Sequence, residues 1–70
     1  MMPLTFVKVG ETCSIRKIGG QEESKRFLEG LGFVVGSPVT IISEIAGNLI
    51  VNIKDSRVAI SREMANRIYV

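Results

Sequence analysis

From Val39 to Ile60 apolar and polar residues alternate in three successive runs, broken twice by tight turns. Val39, Ile41, Ser43 and Ile45 fall on one face of the first run. Leu49, Val51 and Ile53 alternate with Ile50, Asn52 and Lys54 in the second, and Val58 and Ile60 with Arg57 and Ala59 in the third. A period of two is the signature of a strand with one buried face. Ala46-Gly47-Asn48 suits a reversal that needs positive φ, with Gly47 as its turn glycine, and Asp55-Ser56 marks a second. About a third of the chain is thereby committed to short strands joined by minimal loops.

The rest fits around them. Cys13 to Ile18 reads as a strand with Cys13 and Ile15 on one face and Ser14 and Arg16 on the other, ended by Gly19-Gly20. Gln21 to Leu31 is the one clear helical segment; Glu22 and Glu23 lie in its first turn, where acids complement the helix dipole. Phe27, Leu28 and Leu31 share one side of it, and Gly30 and Gly32 bracket its end, where a left-handed residue is usually needed. Phe33 to Pro38 is a turn into a strand, with Gly36 as its flexible point. Ser61 caps a helical turn through Arg62–Ala65, and Ile68-Tyr69-Val70 forms a last strand. The expected fold class is all-β, a single small SH3-like barrel of five to six short strands over residues 1–70, with one inserted helix and a helical turn near the C-terminus. Closure into a barrel removes exposed strand edges, and an OB-fold usually needs a longer chain.

At 70 residues, 46% of them hydrophobic, nearly every apolar side chain is expected to serve the interior. Little remains to build a deep cleft. With no His, no Trp and one Cys, the chain has no His-dependent catalytic triad, Cys/His zinc site or disulfide framework. The net charge of +2 is a weak argument for nucleic acid, and the basic residues are dispersed apart from Arg16-Lys17 and Lys25-Arg26. The N-terminus lacks a charged segment followed by a long apolar run, and no stretch reaches membrane-spanning length. A lone Cys13 fits a reducing compartment, so a cytoplasmic domain without membrane insertion is expected.

Taken in order, Gly10-Glu11, Ile15, Ile18-Gly19, the run Arg26-Phe27-Leu28-Glu29-Gly30-Leu31-Gly32-Phe33-Val34-Val35-Gly36, the β-rich half and the ending Ala65-Asn66-Arg67-Ile68-Tyr69-Val70 resemble the FeoA family of ferrous iron transport over nearly the whole length. The resemblance implies an SH3-like barrel and a partner role beside FeoB, the membrane transporter with a cytoplasmic GTP-binding domain. It also implies recruitment to the inner face of the membrane. The same fold occurs as a C-terminal domain of metal-dependent repressors, whose helical DNA-binding part has no counterpart here. One departure is Val35-Gly36, where the family often has Pro-Gly.

Candidate sites divide unevenly between structural and functional roles. Cys13, in a period-2 strand, reads as a small core residue. Glu11, Glu22, Glu23, Glu29, Glu44, Asp55 and Glu63 are scattered, so no metal ligand set and no cofactor is expected. Met1 and Met2 lie at a start expected to be disordered, and Met64 on a helical turn. The glycines lack phosphate-loop spacing. Arg16, Lys17 and Arg57 read as solvated charge. The helix is the sharper candidate, since Phe27, Leu28 and Leu31 exceed what a short helix needs to anchor itself. An apolar residue left exposed there forms a hot spot with a basic rim. The expected partner-binding set is Lys25, Arg26, Phe27 and Leu28, with core packing claiming Phe27 and Leu31 ahead of Leu28.

The functional expectation is a non-enzymatic accessory protein that binds the cytoplasmic GTP-binding part of the ferrous iron transporter and modulates its activity or assembly. Two alternatives are a small-barrel nucleic-acid-binding module and a regulatory domain related to the repressor C-terminal domain. The first of these is disfavoured because Phe6, Phe27, Phe33 and Tyr69 mostly fit buried slots rather than a stacking platform. An enzyme lacks an acid/base pair. Open barrels also offer edge strands through which copies of the chain associate.

Overall fold

The alternating segment folds as an antiparallel meander. In a computed structural model covering residues 1–70, β3 (Pro38–Ile45), β4 (Asn48–Ile53) and β5 (Ser56–Ser61) pair in sequence order, and β1 (Thr12–Ser14) adds to the free edge of β3. A second sheet pairs β2 (Lys17–Ile18) with β6 (Ile68–Tyr69). Helix α1 (Glu22–Gly30) lies between β2 and β3, and α2 (Arg62–Ala65) between β5 and β6. The protein is all-β with two short helices. Its core joins Val39, Ile41, Leu49, Val51, Ile53 and Ile60 of the meander to Leu4, Val7, Ile15, Leu28, Phe33, Ala65 and Ile68.

The expected strand over Cys13–Ile18 is two strands in different sheets. Ile15, almost fully buried, is the hinge. Its amide donates to the Ser37 carbonyl at 3.0 Å, and its carbonyl accepts from the Gly36 amide at 2.8 Å. One residue later the Arg16 amide donates to the Tyr69 carbonyl at 2.8 Å, and the chain has changed partners. The start of the chain is likewise held rather than loose. Met2 and Val70 exchange amide–carbonyl bonds at 3.0 and 2.9 Å, and Pro3 bridges Tyr69.

A second departure lies in β3. Its register against β4 shifts between Ile41 and Ser43. The extra residue of a bulge moves everything beyond it to the other face. Val39 and Ile41 point inward opposite Ile53 and Val51, but Ser43 and Ile45 now lie on the solvent face opposite Ile50 and Asn48. Glu44 takes the inward-facing register at the strand end, where it pairs with Arg62 of α2 at 2.6 Å. Both hairpin loops have two residues, Ala46-Gly47 and Lys54-Asp55, all at positive φ as type I′ turns require. The second loop is therefore one residue earlier than Asp55-Ser56. Ser61 accepts the Met64 amide at 3.2 Å and caps α2.

The end of α1 explains the Leu-Gly-Phe run. The Gly32 amide donates to the Glu29 carbonyl at 2.9 Å and the Phe33 amide to the Leu28 carbonyl at 3.0 Å. This crossed pair is a Schellman motif, which needs a left-handed residue, and Gly32 supplies it at φ 107°. The motif also calls for an apolar contact between the residue after the glycine and the one four before it. Here these are Phe33 and Leu28, both 0% exposed members of one core cluster. The following turn, Val34 to Ser37, closes through the Ser37 amide and Val34 carbonyl at 3.1 Å, with Gly36 at φ 91° in its third position. That is a type II turn, whose second position favours proline. Val35 occupies it, 66% exposed, and its amide makes no backbone hydrogen bond. Val35→Pro should therefore raise stability by about 0.5–1 kcal/mol in urea denaturation. A loss of stability would mean the Val35 backbone does not have proline's φ.

Candidate functional site

Helix α1 offers several faces, and the expected partner-binding set is distributed among them. Leu28 is 0% exposed and belongs to the core, so it is withdrawn from the surface set. Phe27, expected to be claimed by the core, is 57% exposed. A helix turns about 100° per residue, so these neighbours point in clearly different directions and one slot accepts only one of them. Lys25 lies about 160° around the helix from Phe27, so the two do not form one hot spot with one rim. Arg26 is exposed on the solvent side. Leu31, at the C-terminal cap, is half-buried against the core. The first turn of α1 is fastened from below. The Arg67 guanidinium donates to the Ser24 hydroxyl at 2.6 Å and reaches the Met64 sulfur at 3.9 Å.

On the Lys25 side, α1 forms one wall of an open groove of about 490 Å³. Lys25 and Glu29, one turn apart, stand on that wall, and Arg16, Lys17 and Ile18 of the Ile15–β2 segment stand opposite. Phe33, Val34 and Val35 close one part of it. The sole salt bridge of the molecule is Arg62–Glu44, so none of the three groove cations is paired with a carboxylate. Arg16 and Lys17, taken from sequence as solvated charge, thus border a concave site. The long-range bonds at Ile15 and the pairing of β2 with β6 place them opposite α1, and no local pattern encodes either.

The interior consumes fewer apolar side chains than the chain length suggested. Phe6, Val9, Phe27, Val35 and Ile45, together with Met1 and Met2, remain largely exposed. Ile45 is there because of the bulge, Val35 because it tips a turn, and Phe27 because Leu28 holds the core slot. Among the aromatics only Phe33 is buried; Tyr69 is intermediate, and Phe6 and Phe27 are on the surface. The donor set does not fit a resident metal: no three Cys, Asp or Glu side chains converge, and Cys13 is half-buried against the core.

The architecture and a surface helix flanked by an open groove define a small SH3-like barrel module. The chain belongs to the FeoA family, whose FeoA domain matches residues 2–70. A curated relative from Methanocaldococcus jannaschii, provisionally named Fe(2+) transport protein A, is 34% identical over 70 residues, covering 100% of this chain and 85% of its own. The crystal structure of Stenotrophomonas maltophilia FeoA complexed with zinc, described as a procaryotic SH3 domain protein, aligns with a TM-score of 0.86 at 22% identity. It covers 100% of this chain and 89% of that one. A manganese-dependent transcriptional repressor shares the fold at a TM-score of 0.88 and 22% identity, over 97% of this chain but 39% of the repressor. No helix is long and apolar enough to cross a membrane.

Proposed function

We propose that this protein is a non-enzymatic accessory factor of ferrous iron uptake that docks on the cytoplasmic GTP-binding part of the transporter FeoB and biases its activity or assembly. The observation that carries this reading is the exposed Phe27 on α1, beside Arg26, in a chain of the FeoA family. An aromatic side chain left outside a core this small is an anchor of the kind that dominates protein interfaces. Docking modulates a partner only if affinity differs between the partner's states, because equal affinity shifts no equilibrium. Titrating the purified cytoplasmic part of FeoB with this protein, nucleotide-free, with GDP and with a non-hydrolysable GTP analogue, should give binding that differs by roughly fivefold or more between states. Absence of binding in all three conditions removes the proposal.

A further inference from the structure

We propose that the groove between α1 and the Ile15–β2 segment receives an acidic, apolar-anchored segment of a protein partner. This deepens the docking reading by naming the chemistry received, and its test does not require the transporter. Arg16, Lys17 and Lys25 converge on one concavity from two walls, none forms a salt bridge within the chain, and they outnumber the groove's one carboxylate, Glu29. Elsewhere the molecule does pair charge across elements, as Arg62 and Glu44 do at 2.6 Å. Between the cations the lining is apolar, from Ile18, Val34 and the two-thirds-exposed Val35. Unpaired cations around apolar side chains complement a segment that alternates carboxylates with aliphatic residues.

Two other occupants fit less well. A single-stranded nucleic acid needs an exposed aromatic face for stacking, and the one aromatic lining the groove, Phe33, is 0% exposed. An anionic bilayer presents a flat array of phosphates, whereas this site is concave. Three cations against Glu29 leave the groove net positive, and the Glu29 carboxylate can accept hydrogen bonds from a peptide's backbone amides, a donor no lipid phosphate offers.

The test uses the 15N-labelled full chain and a short soluble peptide, acetyl-Glu-Glu-Leu-Glu-Glu-Val-amide. Amide shift changes are expected at Arg16–Ile18, Lys25, Glu29 and Val34–Val35, with binding that weakens as salt rises. Lys17→Glu combined with Lys25→Glu should weaken binding roughly tenfold or more, and Val35→Ser should weaken it several-fold, both with the native spectrum retained. Shift changes concentrated on the outer sheet face or around Phe27 would overturn the assignment. So would equal binding by a peptide with Ser in place of Leu and Val, which reports charge alone. Binding to phosphatidylglycerol vesicles without binding to the peptide transfers the groove to a lipid surface and rejects the inference. If the peptide binds here and the transporter domain binds nowhere, the groove stands and the transporter reading falls. If the transporter domain binds and the peptide does not, the reverse holds.

Discussion

Phe33→Ala should melt far below the wild-type temperature, while Phe27→Ala should melt close to it. The two residues are of one type and six positions apart, yet one is 0% and the other 57% exposed. Truncating a buried Phe costs about 3–5 kcal/mol. A domain of this size has a total stability on the order of 5 kcal/mol. Phe33 is also the apolar partner of Leu28 in the Schellman motif, so its loss loosens the end of α1 together with the core beneath it. At roughly 4–8 °C per kcal/mol for a domain this small, the midpoint should fall by some 12–40 °C, if a cooperative transition survives. Thermal circular dichroism on both variants decides the matter. A fall below about 5 °C for Phe33→Ala would show that the core closes without it. A comparable fall for Phe27→Ala would show that Phe27 is packed after all.

The parts of this fold that are periodic were legible in the sequence. The alternation over Val39–Ile60 specifies three strands, and type I′ turns of two residues leave little freedom in how they pair. The acidic first turn and glycine-rich end of α1 frame a helix within one residue at each boundary. Ser61 declares its cap. What could not be read is where alternation breaks. The bulge at Ile41–Ser43 leaves no local mark, because Ile42 suits either register, and it alone decides that Ile45 faces water. The division of Cys13–Ile18 is equally silent, since Ile15 is satisfied by Gly36 and Ser37, more than twenty positions away.

The layout of the candidate site was hidden in a related way. Phe27, Leu28 and Leu31 are all apolar and all near one side, and periodicity says that one must lead into the core without saying which. The Schellman bonds decide it. Because the Phe33 amide reaches the Leu28 carbonyl, Phe33 folds back beside Leu28, and those two side chains enter the core together. Phe27 is then turned away. The same rotation sends Lys25 to the opposite flank, next to Arg16 and Lys17. A single patch imagined on one helix face is thereby an aromatic knob on one side and a basic groove on the other. A partner that engages both must wrap the helix rather than abut it.

Phe27→Asp is expected to cut affinity for the cytoplasmic part of the transporter by roughly thirtyfold or more, with the fold unchanged. Burying an aromatic anchor at an interface is typically worth 2 kcal/mol or more, and 1.4 kcal/mol is a factor of ten. Placing a carboxylate in the vacated contact adds the cost of desolvating it. Neither penalty applies to the free protein, because the position is already exposed. Arg26→Glu, one position away on the solvent side, should act differently. A rim charge steers encounter, so its reversal should slow association a few-fold and change the salt dependence while leaving dissociation nearly untouched. Leu28→Ala is the necessary contrast. It should also abolish binding, but by unfolding the end of α1, and its melting curve will reveal that. Surface plasmon resonance on the three variants, each checked by circular dichroism, separates these cases. Wild-type affinity for a folded Phe27→Asp protein would show that the exposed flank of α1 is not the contact, whatever the groove on its other side binds.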